Sequence, residues 1–299
     1  MTTNEYLAKI LEQQDVTKDD SVMSSLAKHR EDVEQLIEKS FSESSPTIRY
    51  GGSKAKGTMV KDSYDLDIAC YFPRNDDEPG ASLEEIYNNV DKALQEKYFT
   101  DRKRTAIRLK NKDGVAGSTD FHIDVVPGRF IDESESDAYL HQEGGDKSWL
   151  KTNLDTHIKH IRVSGFTDAI KLFKIWRCRF KVEVRTFALD LLVVKILKDR
   201  GTPTSLDEQA KYVLEYFRDN KDSLCVEDPA NSGNDLSSLL DTNTKASLAS
   251  SAEHTLGRIK DGDWQTIFGV VLDTTDDKAK TIGLLASSVV NPIRPYGGE

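Results

Sequence analysis

The chain of 299 residues carries 41 Lys and Arg against 51 Asp and Glu, a formal net charge of −10. With 37% hydrophobic and 31% charged residues it has the composition of a folded globular protein, long enough for one large or two ordinary domains and too aromatic for wholesale disorder. The acidic balance argues against a dedicated duplex-binding protein, whose affinity rests on Lys and Arg neutralising phosphates.

The charge is unevenly placed. Residues 151–200 hold 12 basic and 5 acidic side chains, a net of +7, which leaves −17 on the rest. Such a segment suits a small, highly charged anion, and it also reads as a solvated helix face. Cys70, Cys178 and Cys225 lie far apart and outline no disulfide framework. Residues 1–15 lack a basic region followed by an apolar core, and no apolar run approaches the ~20 residues of a membrane span. The expectation is a cytoplasmic protein without membrane contact.

In chain order, Val22, Leu26, Val33, Leu36 and Ile37 recur at helical spacing and predict a helix over 21–41, closed by Ser44-Ser45-Pro46. A short strand, Thr47–Tyr50, runs into Gly51-Gly52-Ser53, after which Lys54–Val60 can open a helix. Tyr64–Phe72 reads as a strand stopped by Pro73, and residues 82–98 as a helix. Thr105–Lys110 and Phe121–Val126 read as further strands, the second ended by Pro127-Gly128. From about residue 150 the periodicity is helical, and Phe187–Leu197 is apolar on nearly every side, as a buried helix requires. The expected organisation is a mixed α/β lobe over 1–150, including the N-terminal helix, which is free to pack against either lobe or to bridge both, and a helical lobe over 151–299.

Asp65 and Asp67 stand two residues apart on a predicted strand, so their carboxylates share a face. Asp124 is a lone charge within Phe121–Val126. Three acids on neighbouring strands repel one another, and a hard divalent cation with oxygen ligands relieves that repulsion. Gly51-Gly52-Ser53 between a strand and a helix start lets backbone and a hydroxyl approach phosphate, and taken alone is also an ordinary turn.

Together, strand–Gly-Gly-Ser, eleven residues, Asp-Leu-Asp and then Ile-Asp-Val-Val-Pro resembles the DNA polymerase β-like nucleotidyltransferases. Gly-Gly-Ser-Lys-Ala-Lys-Gly-Thr-Met-Val followed by Tyr-Asp-Leu-Asp-Ile-Ala is similar, more particularly, to the bacterial cGAS/DncV-like nucleotidyltransferases (CD-NTases), relatives of the oligoadenylate synthases. The resemblance covers roughly residues 45–240. It implies an α+β, two-lobed fold with a mixed-sheet catalytic lobe, a helical C-terminal lobe and the active site in the cleft. It also implies a metal-dependent transferase that joins NTPs, ATP among them, into a cyclic di- or trinucleotide second messenger of CBASS antiphage defence. Asp65, Asp67 and Asp124 would be catalytic and would hold two Mg²⁺ ions, with Mn²⁺ as an alternative.

On a helical wheel Lys171, Lys174, Arg177 and Lys181 fall within an arc of about 120°, with Ala169, Leu172, Phe173, Trp176 and Phe180 roughly opposite, which suits one wall of a triphosphate pocket. By resemblance Gly52, Ser53, Lys171, Lys174 and Thr186 would hold the nucleotide, Phe187 would stack on a base, and Asn234 of the Asp-Pro loop would contact substrate. Regulatory proteins that switch activity on, and a separate effector that reads the product, are the implied partners. The absence of a zinc element, with the acidic total, argues against activation by DNA. His157 and His160 read as hydrogen-bonded or exposed residues rather than zinc ligands. Arg108 belongs to a basic run that faces either an acceptor nucleotide or solvent. The competing functions are a linear oligoadenylate or RNA-end nucleotidyltransferase, a catalytically silent nucleotide-binding sensor, and a helical interaction protein.

Overall fold

The first helix begins at a capping box. The Thr2 side chain accepts from the Glu5 N–H while the Glu5 carboxylate accepts from the Thr2 N–H, which starts α1 (Thr3–Gln13). Its Tyr6, Leu7, Ile10 and Leu11 make one apolar stripe. The computed structural model describes residues 1–112, 122–144, 147–201 and 205–272. Phe121, at the start of an expected strand, and residues 273–299, among them Pro295–Glu299, whose sequence reads as a docking tail or a frayed end, lie outside them.

Asp19 caps the long α2 (Asp20–Ser40), which buries Leu26, Val33 and Ile37. There follow β1 (Thr47–Tyr50), the five-residue α3 (Gly52–Lys56), β2 (Leu66–Phe72), α4 (Leu83–Leu94), β3 (Tyr98–Arg102), β4 (Ile107–Asn111), β5 (Ile123–Phe130), β6 (Ala138–His141) and β7 (Trp149–Thr152). The second half is helical: α5 (Leu154–Arg162), α6 (Thr167–Phe180), α7 (Thr186–Arg200), α8 (Leu206–Asp219), α9 (Thr242–Lys260) and α10 (Trp264–Phe268).

The strands form one mixed sheet in the order β1-β2-β5-β4-β3, with β6 paired to β5 and β7 to β6. β2 and β5 are parallel and the remaining pairings antiparallel. Alternation along β2 buries Ile68, Cys70 and Phe72 beneath α2 and α4, while Ala69 and Tyr71 join Phe130, Ala138 and Leu140 in a smaller cluster. The helices α6 to α10 share a second core around Phe173, Trp176 and Phe217. α7 is buried over nearly its whole length from Ala188 to Leu197, as its apolar run predicts.

Several boundaries differ from the sequence expectations. α1 packs its stripe into the helical core, whereas α2, which corresponds to the helix expected over 21–41, packs into the sheet core. The sequence alone leaves the N-terminal helix free to pack against either lobe or to bridge both. The helix expected over 82–98 stops at Leu94, and Tyr98 begins a strand instead. β5 continues through Pro127 and Gly128 to Phe130. It pairs β4 as far as Val125 and β6 from Arg129, so Pro127 falls between two partners and its missing N–H interrupts neither ladder. Gly128 is required there, because a Cβ would lie 2.6 Å from Leu140 and 2.9 Å from the Tyr139 carbonyl.

Ile68 is fully buried at the centre of β2. Ile68→Ala leaves a cavity in the sheet core and is expected to lower stability by about 2–5 kcal/mol, read from urea unfolding.

Candidate active site

The parallel register of β2 and β5 sets Asp67 opposite Asp124. The antiparallel register of β4 and β5 then sets Arg108 opposite Asp124 on its other side. Asp65 precedes β2, and one of its oxygens accepts from the His122 N–H at 3.3 Å. The three carboxylates therefore meet at the same end of two adjacent strands.

Asp67 is tucked against the Gly-Gly-Ser turn. Gly51 N–H donates to the Asp67 carbonyl at 2.8 Å, and a Cβ on Gly52 would lie 1.5 Å from Asp67 Oδ2. Gly52 also has φ +48°, so a larger residue fails there twice over. Burial, then the negative charges of Asp124 and Asp65, push the Asp67 carboxyl up to about 6, with Lys56 and Lys174 acting in the opposite direction. Arg108 faces Asp124 with two parallel hydrogen bonds, Nε to Oδ1 and Nη2 to Oδ2, each 2.8 Å. The basic run in which Arg108 lies thus sends one member into the site.

This donor set, three carboxylates with a glycine cradle, matches the oxygen preference of a hard divalent cation. As placed, among the described residues no three His, Cys, Asp or Glu side chains are arranged to hold a metal ion, and both oxygens of Asp124 face Arg108. Chemistry and neighbourhood fit the ion, provided that Asp124 yields an oxygen from the guanidinium.

The other expected residues divide into two groups. Ser53, Thr186 and Phe187 are partly exposed, and the N-terminal turn of α7 carries the last two. Phe187 stacks on His157 with ring centroids 5.3 Å apart and an interplanar angle of 21°, and Lys56 Nζ lies 5.1 Å from the same ring centre. Lys174 is instead 1% exposed. Its ammonium donates to Thr58 Oγ1 at 2.8 Å and to the Thr58 carbonyl at 3.3 Å, and it lies 3.5 Å from Asp190. Burial drives its pKa down while Asp190 opposes the fall.

The cationic face expected on α6 is therefore partly an interior face. Ile170 and Ile175, which break the amphipathic pattern, are buried with Lys174. Lys171 pairs with Asp168 on its own helix at 3.6 Å and stands apart from that group.

The Asn234 amide is likewise engaged within the protein. Its Nδ2 donates to the Lys151 carbonyl at 3.0 Å and to Asp228 at 2.6 Å, and its Oδ1 accepts from Asn231 at 2.9 Å. Asp228 also pairs with His157 Nε2 at 2.8 Å and accepts from the Ala230 N–H, so the Asp-Pro loop braces the histidine under Phe187. Lys56, Asp190, His157 and Asp228 were not among the expected site residues. Asp190 carried a usable signal, a lone carboxylate inside the most apolar helix of the chain.

No protein-family model matches the chain, and no curated protein matches it by sequence. Solved structures do match in fold. The CdnC protein of E. coli MS115-1, determined in complex with HORMA-deltaN, has TM-score 0.67 and 18% identity, covering 90% of this chain and 98% of its own. The CD-NTase CdnG of Bradyrhizobium diazoefficiens, determined with GTP, has TM-score 0.68 and 14% identity, covering 89% and 95%. The cyclic AMP-GMP synthase DncV of Vibrio cholerae has TM-score 0.61 and 17% identity, covering 91% and 82%. The chain has the two-lobed α+β fold of these proteins. No helix among the described residues is long and apolar enough to cross a membrane.

The raised pKa of Asp67 has a stability consequence of definite sign. The folded protein holds this proton more tightly than the unfolded chain, so stability falls as pH rises from about 4 to about 6 and stays reduced above. Without divalent cations, Asp67→Asn is expected to raise stability at pH 7.5 by on the order of 2 kcal/mol, a figure discounted because Asp67 keeps some exposed surface. The gain should shrink below about pH 6 and vanish below about pH 4, in unfolding curves taken across that range.

Proposed function

We propose that the chain is a CD-NTase, a metal-dependent nucleotidyltransferase that joins NTPs into a cyclic di- or trinucleotide. The observation that carries this reading is the meeting of Asp65, Asp67 and Asp124 beside the Gly52 cradle, in a chain with the CD-NTase fold. Asp65 and Asp67 would hold both Mg²⁺ ions (or Mn²⁺), and Asp124 would share the ion nearer the acceptor. When bound, the two ions supply charge stabilisation to the attacking and leaving oxygens of an in-line displacement at the α-phosphate, which releases pyrophosphate.

The remaining work falls to the protein. Gly52 lets the backbone of the Gly-Gly-Ser turn approach the donor tail, and the Ser53 hydroxyl donates to a phosphate oxygen. Thr186, at the start of α7, donates to the same chain of phosphates. Phe187, stacked on His157 and met by the Lys56 ammonium, would present its exposed part to a nucleobase. Asp124 would serve the acceptor end of the site, and holding a cation there would require one of its oxygens to be free of Arg108. Closing a ring requires further use of the same pocket, with the first nucleotide's triphosphate as the last donor and the hydroxyl of the last-added nucleotide as the acceptor, releasing another pyrophosphate. The GTP in CdnG supports nucleoside triphosphates as substrates, and the HORMA complex of CdnC supports a regulatory partner. The product would act as a second messenger in antiphage defence, read by a separate effector.

Incubation with the four NTPs and Mg²⁺ or Mn²⁺, with and without lysate, tests the reading by mass spectrometry of phosphatase-resistant products. Cyclic oligonucleotides are expected from the wild type, with a loss of at least about a hundredfold in Asp65→Ala and Asp67→Ala. Phosphatase-sensitive linear chains would refute the cyclic assignment. The absence of both products, together with no binding of a non-hydrolysable NTP, would refute the transferase itself.

A further inference from the structure

Asp190 of α7 is 1% exposed and stands between two ammoniums. Lys56 Nζ lies 3.5 Å from Oδ2, and Lys174 Nζ lies 3.5 Å from Oδ1. One carboxylate facing two cations leaves the group with a net positive charge, held under the site where Asp67 feels both lysines.

The two lysines are not equivalent. Lys174 has the hydroxyl and the carbonyl of Thr58 as acceptors, whereas Lys56 has no hydrogen-bond acceptor among the described residues. Lys56 is nevertheless 8% exposed. Its ammonium meets the carboxylate only at 3.5 Å, longer than a charge-assisted hydrogen bond, and otherwise the face of the Phe187 ring. Asp190 Oδ1 also lacks a hydrogen-bond partner among the described residues, although Lys174 stands at ion-pair distance. A buried ammonium with unfilled donors, next to the ring read as a base platform, is arranged to receive an anion.

We infer that Lys56 binds a phosphate oxygen of the nucleotide's polyphosphate chain, and that Asp190 and Lys174 set how much of its charge is available to that phosphate. Lys174 occupies Asp190 and so leaves Lys56 incompletely neutralised. Lys56 is a binding residue in this scheme, and Asp190 and Lys174 are positioning residues that act through it. The inference rests on the nucleotidyltransferase reading and adds to it the residues that tune phosphate affinity.

The test is the dissociation constant of a non-hydrolysable ATP analogue with Mg²⁺, beside that of adenosine, which has no phosphate. Lys56→Met is expected to weaken the analogue about tenfold and to leave adenosine unchanged, with Lys56→Arg retaining most of the affinity. Lys174→Met lets Asp190 neutralise Lys56 and is expected to weaken the analogue by several-fold. Asp190→Asn removes the competing carboxylate and is expected to tighten it by several-fold. The Asp190→Asn/Lys174→Met double variant, with both signs removed, should bind nearly as the wild type does.

A purely structural network predicts losses in all variants and no recovery in the double one. Weaker binding by Asp190→Asn, or a double variant no better than Lys174→Met, therefore overturns the inference while wild-type binding keeps the transferase reading intact. A wild type that binds neither the analogue nor adenosine overturns that reading, and the inference with it. Melting curves for each variant separate lost affinity from lost fold, and a Lys56→Met protein that melts early is replaced by Lys56→Gln.

Discussion

The parallel pairing of β2 with β5 is the constraint around which the rest is arranged, because it forces Asp67 to lie opposite Asp124. A parallel pair in the middle of a sheet is buried on its faces and cannot slip by one residue without turning every side chain over. The carboxylates are thus brought together by the same packing of Leu66, Ile68, Val125 and Ile123 that forms the sheet core. Repulsion between them is the electrostatic cost, visible in the raised pKa of Asp67. The surroundings answer it locally, with Arg108 on Asp124 and the Lys56–Asp190–Lys174 group beneath Asp67.

The segment from Gly51 to Asp62 joins the two lobes at this point. Gly51 is hydrogen-bonded to β2, Lys56 reaches Asp190 on α7, and Thr58 accepts from Lys174 on α6. Asp62 pairs with Arg179 at 2.7 Å, and its carbonyl accepts from the Cys178 thiol. Val60 packs into the helical core, whereas Met59 packs into the sheet core. This stretch contacts both lobes, so the residues read as facing a nucleotide and those tying the lobes together are neighbours in sequence. Arg49 of β1 adds a second tie through its ion pair with Asp155 of α5.

Much of this arrangement was legible in the residues. Asp65, Asp67 and Asp124 stood out because strand periodicity and a charge within an apolar run are local signals, and the registers only had to bring them together. α7 was readable for the same reason. Features that depend on distant partners were not. The wheel for α6 placed Lys174 among the cations correctly, but whether that face met water or Thr58 and Asp190 is decided by elements far away in the chain. Asn234 sits in a recognisable Asp-Pro loop, yet its amide is engaged by Lys151 and Asp228, a pairing no local pattern encodes. The short strands β6 and β7 carry little alternation and are held by their neighbours. The capping box of α1 was present in Thr2 and Glu5, but its destination in the helical core was not.

The pivot of the functional reading is that the three carboxylates hold a divalent ion. Anomalous scattering from crystals soaked in Mn²⁺ and a non-hydrolysable NTP measures this directly. Density for Mn²⁺ between Asp65, Asp67 and Asp124, with Arg108 drawn back from at least one Asp124 oxygen, is the expected result. Bound nucleotide with no anomalous peak at these carboxylates, and Asp124 still bidentate on Arg108, would contradict it.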